Sequence, residues 1–258
     1  MPDLSAQDIS DIARAAGRLA LRRAGEAYGQ WEKVPGHPVC DIDLEVNELL
    51  RERLSRLDPG AAWLSEESAD DAARLTSRRL WVVDPIDGTR DYLRGRPGWA
   101  ISVALVENGK PVVGVLDAPA RNEHWLATLG SGATCNDQPI HVSGRTHFPG
   151  SRVPADQLSK VDRDLVAVAK PNSIALRMAM VAAGSADLVA SVRWGNEWDI
   201  AAAALIVSEA GGMVTDAMGR PLSFNAFPPT AFGVLAATPG IHAAAVERLR
   251  PRAQAAIG

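Results

Sequence analysis

The sequence predicts a layered α/β fold: an α+β half over residues 1–130 and a more regularly alternating α/β half over residues 131–258. Three observations carry this. Two stretches with helical spacing of apolar residues lie within the first sixty positions. Short apolar runs joined by turn signals follow, up to about residue 130. Beyond that point strand-like and helix-like segments alternate, as they do when sheets and helices are stacked in layers.

Ser5, with Asp8 three residues later, resembles a capping box, and Ile9, Ile12, Ala13, Ala16, Leu19 and Ala20 follow at helical spacing. A helix is therefore expected over about 7–27. Gly36-His37-Pro38 interrupts, and a second helix fits 44–57, with Val46, Leu49, Leu50 and Leu54 on one face. Residues 61–64 and 80–83 are short apolar runs with polar flanks, as buried strands are. Residues 100–106 and 112–116 flank Asn108-Gly109 and read as a hairpin, because both turn residues accept positive φ. Residues 123–128 add another strand. Residues 143–160, rich in Gly, Pro and polar residues, read as a loop. Strands then fit 165–169, 188–192 and 232–237, alternating with helices at 174–183, 199–210 and 241–249. The 199–210 helix stops at Gly211-Gly212.

Composition excludes several classes of function. A net charge of −4 with no basic run argues against a nucleic acid polymer or an anionic membrane as partner. No apolar stretch has the length of a membrane span, and the first residues lack a secretory pattern, so the cytoplasm is the expected compartment. Cys40 and Cys135 form neither a disulfide framework nor a zinc spacing. The histidines at 37, 124, 141, 147 and 242 show no metal spacing and read as surface or packing residues. There is no P-loop, and no Gly-x-Gly-x-x-Gly follows a strand.

The chemistry concentrates in Trp81-Val82-Val83-Asp84-Pro85-Ile86-Asp87-Gly88-Thr89. An apolar strand runs into one aspartate, a proline turn and a second aspartate. Two ionised carboxylates so placed repel each other unless a cation lies between them, and oxygen donors suit a hard ion such as Mg²⁺. Gly88 and Thr89 then offer N–H groups to a phosphate oxygen, the more so if a helix begins there. The same Asp-Pro-x-Asp-Gly also fits a plain surface turn. Glu66 and Glu67 end another short apolar run, and alone they read as a solvated strand end. Asp199 and Asp43, each near a helix start, alone read as helix-starting acids. Their joint occurrence is what favours a site.

These motifs resemble the inositol monophosphatase superfamily, whose members are magnesium-dependent, lithium-sensitive phosphatases. Its Asp-Pro-Ile-Asp-Gly-Thr stands at Asp84 to Thr89, its Trp-Asp-x-Ala-Ala at Trp198 to Ala202, its Glu-Ala-Gly-Gly at Glu209 to Gly212 and its Glu-Glu at Glu66-Glu67. The match runs in order along nearly the whole chain and is poor only over 143–160. It implies an α/β/α/β/α sandwich of the sugar-phosphatase kind, with the active site between the halves. It implies that Glu66, Asp84 and the Ile86 carbonyl hold one magnesium. Asp84, Asp87 and Asp199 hold a second, and a third, weaker ion sits near Glu66. Asp43 and Thr89 orient the attacking water, with Glu66 beside them, while Gly88 and Thr89 hold the phosphate. The partner is then a small phosphorylated metabolite, and a homodimer is common among relatives.

Substrate choice rests on two local features. Arg90-Asp91-Tyr92 looks like the Lys-Glu-Phe of CysQ-type bisphosphate nucleotidases, and Arg193-Trp194-Gly195 resembles their Arg-Phe-Gly. Inositol enzymes usually carry a glutamate where Val192 stands. The expected activity is therefore 3′(2′),5′-bisphosphate nucleotidase, with Arg193 and Arg90 as substrate residues. Inositol-1-monophosphatase and histidinol-phosphatase are the alternatives within the family. A catalytically silent binding protein on the same scaffold is the alternative from a different class.

Overall fold

A computed structural model describes residues 5–26, 29–34 and 37–257. Helix α1 (Ala6–Arg23) is capped by Ser5, whose side chain accepts the Gln7 N–H. The expected helix end, at about Ala27, lies outside the described residues; the helix stops at Arg23, with an extended Ala24 and Gly25 at φ of +87°. Strands β1 (Gln30–Val34) and β2 (His37–Cys40) pair antiparallel, and α2 (Asp41–Leu57) starts directly after Cys40. Next come β3 (Ala62–Ser65), β4 (Arg79–Asp87), the one-turn helix α3 (Thr89–Leu93), β5 (Ala100–Glu107), β6 (Lys110–Ala118), β7 (Glu123–Thr128), β8 (Ala133–Cys135) and β9 (Gln138–Pro139). All seven strands from β3 to β9 form one sheet in sequence order. It is antiparallel except where β3 runs parallel to β4. Residue 130 lies in the turn between β7 and β8.

The remaining chain adds β10 (Arg152–Pro154), β11 (Val166–Val168), α4 (Ile174–Ala182), β12 (Leu188–Asn196), α5 (Glu197–Glu209), β13 (Met213–Thr215), β14 (Thr230–Ala237) and α6 (Pro239–Ile257). Strands β12, β14 and β13 make a second sheet in that order.

Strand periodicity assigns the layers. Trp81 and Val83 point to one face of the large sheet, where they meet Ile9, Ala13 and Ala20 of α1 and Val46, Leu50 and Leu54 of α2. Leu80 and Val82 point to the other face, against Met178 and Ala179 of α4 and 200–207 of α5. Val189, Val234 and Ala236 of the second sheet close over the same helices. Ile241, Ala245 and Leu249 of α6 cover that sheet's outer side. The order is therefore helices, sheet, helices, sheet, helix. Because α5 lies between two sheets, it is apolar all round from Ile200 to Val207, as a helix buried on every side must be. It packs so closely that a Cβ at position 114 would meet the Ala202 carbonyl oxygen at 2.6 Å, which explains Gly114.

Three buried polar residues fasten α1 to the sheet. His124 Nε2 lies 2.7 Å from Ser10 Oγ, and its Nδ1 lies 2.8 Å from Asp117 Oδ1. With Ser10 only 1% exposed, this chain of contacts is a fastening rather than a hydrolytic triad. Among the described residues no helix is long and apolar enough to cross a membrane.

Candidate active site

The site forms where β4 leaves its partner strand. Pairing with β5 holds up to Asp84 opposite Ser102, is interrupted at Pro85 and Ile86, and resumes with Asp87 opposite Ala100. Proline cannot donate to a ladder, so an irregularity is expected at that position. The bend directs Asp84 and Asp87 into one cavity of about 270 Å³. Asp84 Oδ1 accepts the Ile86 N–H at 3.0 Å. Asp87 Oδ2 accepts the Ser173 hydroxyl at 2.5 Å and the Ala175 N–H at 2.8 Å, which ties β4 to the start of α4.

Gly88 then turns the chain with φ of +96°, a left-handed conformation that glycine adopts at little cost. A Cβ there would also meet Gly98 O at 2.7 Å and Ser173 N at 2.9 Å. Helix α3 begins at the next residue, the arrangement under which the sequence reading gives more weight to the Gly88 and Thr89 N–H groups as phosphate donors. Thr89 Oγ1 donates to Ile86 O at 3.0 Å and lies 3.4 Å from Asp43 Oδ1. Asp43, only 2% exposed, reaches the site from the first turn of α2.

Glu66 arrives at the end of β3, where its N–H donates to Val83 O at 3.3 Å. Asp199 comes from the first turn of α5, where its Oδ2 accepts the Asn196 N–H at 3.2 Å. One oxygen each from Glu66, Asp84 and Asp199 lies within 4.8 Å of the others. Burial, followed by Glu66, Asp87, Asp199 and Asp43, pushes the Asp84 carboxyl well above its ordinary range. Burial, then Asp87 and Glu66, does the same to Asp199. Burial also raises Asp87, although Ser173 and the Ala175 N–H oppose it. A buried group of hard oxygen donors that resist ionisation in each other's presence is the donor set a divalent cation satisfies. Magnesium fits these residues.

The structure brings Glu66, Asp84, Ile86, Asp87, Gly88, Thr89, Arg90 and Asp199 to one cavity. Asp43 touches it through Thr89. Arg193 stands elsewhere: it is exposed on β12 and does not line the cavity.

Four lining residues escaped the sequence reading: Asn172, Ile174, Arg177 and Asn196. Arg177 is the most consequential. Its Nε donates to Ser173 O at 3.2 Å and its Nη2 to Asn172 O at 2.5 Å, so backbone carbonyls hold the guanidinium in the wall. Among the described residues no carboxylate lies within ion-pair distance of it. Desolvation lowers its pKa, against the attraction of Asp87, Asp156, Asp199 and Asp91. A sequence signal existed: Arg177 is the single charged residue in Ile-Ala-Leu-Arg-Met-Ala-Met-Val-Ala.

Comparison with known proteins agrees along the whole chain. The family described as "Inositol monophosphatase family" matches residues 5–255. A Nus factor SuhB from Xylella fastidiosa is 37% identical over 225 residues, 80% of each chain. A fructose-1,6-bisphosphatase/inositol-1-monophosphatase from Thermotoga maritima is 37% identical over 226 residues, 84% of this chain and 85% of its own. The solved structure of a Thermotoga maritima IMPase superposes with a TM-score of 0.83 at 32% identity, covering 96% of this chain and 97% of the other.

Proposed function

The chain belongs to the inositol monophosphatase family of phosphoric monoester hydrolases, which are magnesium-dependent, and from that premise we propose that it dephosphorylates a small metabolite carrying a second anionic group. A 3′(2′),5′-bisphosphate nucleotide is the substrate of this kind that the sequence favours. The observation that carries the proposal is Arg177: a guanidinium without a carboxylate partner among the described residues, in the wall of the carboxylate cavity. Guanidinium binds phosphate through paired N–H donors. Arg90, on the same cavity, is placed to assist. Arg193 has no comparable position.

In this reading Glu66, Asp84 and the Ile86 carbonyl would hold one magnesium, Asp84, Asp87 and Asp199 would hold a second, and Glu66 would contribute to a third. When bound, magnesium supplies the positive charge that acidifies a nearby water and offsets charge on the phosphoryl oxygens. Thr89 Oγ1 orients the attacking water, and the Asp43 carboxylate is the final acceptor of its proton, which passes to Thr89 Oγ1 as the Thr89 hydroxyl proton passes to Asp43 Oδ1, 3.4 Å away. Gly88 and Thr89 hold the phosphate. The residues before 130 supply most of the ligands, and the residues after it supply Asp199 and Arg177.

The second reading is inositol 1-phosphate, in line with the name of the Thermotoga relative. Val192 speaks against it, because this apolar side chain packs into the core around β12 and accepts no sugar hydroxyl. A panel of 3′-phosphoadenosine 5′-phosphate, inositol 1-phosphate, histidinol phosphate and fructose 1,6-bisphosphate, with and without Mg²⁺, tests the proposal. A bisphosphate is expected to give the highest kcat/KM. Preference for inositol 1-phosphate overturns it.

A further inference from the structure

Asp43 is buried, and its two oxygens have different surroundings. Oδ2 accepts the Cys40 N–H at 2.8 Å and the Cys40 thiol at 2.9 Å. Oδ1 is the oxygen that faces Thr89, at 3.4 Å. Cys40 occupies the N-cap of α2, where serine, threonine, aspartate or asparagine is the usual choice. It is 0% exposed. We propose that Cys40 is a positioning residue for the hydrolytic reaction: its S–H, together with its N–H, engages Oδ2 and so fixes the Asp43 carboxylate with Oδ1 toward Thr89 and the water.

The inference rests on the reading of Asp43 as the final acceptor, through Thr89, of the attacking water's proton. The Cys40 N–H and S–H converge on Oδ2 from two directions, which adds to the other contacts of the carboxylate and narrows its rotation about the Cβ–Cγ bond. The thiol is suited to the task because it stays protonated. Burial and the neighbouring Asp43 push it up to about 12, so it remains a donor throughout the working pH range. Its burial also keeps it from oxidants and alkylating reagents, which reach exposed thiolates.

The test compares wild type with Cys40→Ala, Cys40→Ser and Asp43→Asn, using 4-nitrophenyl phosphate at saturating Mg²⁺. Alanine and serine both lack the sulfur volume, so they share any packing loss, and only serine keeps a side-chain donor. Removing a donor to a charged acceptor is expected to lower kcat about fivefold in Cys40→Ala, with KM within about twofold. Cys40→Ser is expected to retain at least about half of wild-type kcat. Serine as impaired as alanine, or alanine with wild-type kcat while Asp43→Asn is inactive, overturns the positioning role. Full turnover by Asp43→Asn instead removes the reading of Asp43, and the inference with it.

Discussion

Replacing Asp84 by asparagine separates metal binding from folding, because the two should respond in opposite directions. Asparagine keeps an oxygen to accept the Ile86 N–H and removes one negative charge. Asp84 has an oxygen within 4.8 Å of oxygens from both Glu66 and Asp199. At an effective dielectric constant of about 20, two unit charges at that separation repel by roughly 3.5 kcal/mol. Without metal, Asp84 relieves part of this by taking up a proton, so the net cost to the fold is smaller. Removal of the charge should stabilise the metal-free protein by about 1–3 kcal/mol, which raises Tm by roughly 2–6 °C at this chain length. Catalysis should fall by at least about 10³-fold, or about 4 kcal/mol of transition-state stabilisation. The rise in Tm that Mg²⁺ gives the wild type by binding the native state should largely disappear. Thermal melts in chelator and in Mg²⁺, beside phosphate release at saturating Mg²⁺, measure all three. Near-normal turnover refutes the bridging role of Asp84. A lower Tm than wild type in chelator refutes the electrostatic argument.

Arg177→Ala should raise KM for 3′-phosphoadenosine 5′-phosphate about tenfold or more, the loss of one charge-assisted interaction, while Arg193→Ala leaves it within twofold. Equal effects of Arg177→Ala on mono- and bisphosphate substrates in the steady-state assay would exclude a second-anion role. Li⁺ and Ca²⁺ should both inhibit, Ca²⁺ because it prefers a larger and looser oxygen shell than Mg²⁺; indifference to both in a titration of activity counts against the metal site. In chelator, stability should fall as pH rises from the ordinary aspartate value of 3.8 through the raised values of Asp84, Asp87 and Asp199, since over that window the folded state binds more protons than the unfolded one. His242, lowered by burial, has the opposite sign below its ordinary 6.5, but it is common to wild type and Asp84→Asn, so denaturant midpoints should show a shallower slope for the mutant. His124→Ala should cost about 2–4 kcal/mol in urea unfolding, because it leaves Ser10 and Asp117 without their buried partner; an unchanged midpoint refutes the fastening.

The long elements were legible because each has one apolar periodicity and a clear end. Helix α2 and the hairpin of β5 and β6 around Asn108-Gly109 match the reading closely. The short strands β8, β9, β10 and β13 were not found, since two or three residues carry no period, and the pair β1 and β2 was not found either. Helix α6 was read as ending at Leu249 and instead runs through Pro251 to Ile257. Proline normally stops a helix by leaving the carbonyl four residues back without a donor. Here Glu247 and Pro251 are both exposed, so water can satisfy that carbonyl. Strand β12 extends past Val192 to Asn196 because its backbone pairs with β14 through Thr230, a contact invisible in the local sequence. The site divides in the same way. The carboxylates announce themselves through motif order, whereas the position of Arg177 depends on which side of α4 faces β4. That is set by Ser173 and Ala175 gripping Asp87, an interaction 86 and 88 residues apart in the chain.

That grip also ties one carboxylate of the site to a distant segment, while two others are held locally. Asp87 is anchored from α4, Asp43 from Cys40, and Asp199 from Asn196. In each case a backbone N–H holds one carboxylate oxygen, and the fold thereby supports charges that repel one another. Asp84 too accepts one backbone N–H, that of Ile86, inside its own bend. It is also the residue for which all four other acids, Glu66, Asp87, Asp199 and Asp43, raise the pKa. The mutual repulsion of these carboxylates therefore falls mainly on the residue proposed to bridge two cations, and a bound cation would relieve it there.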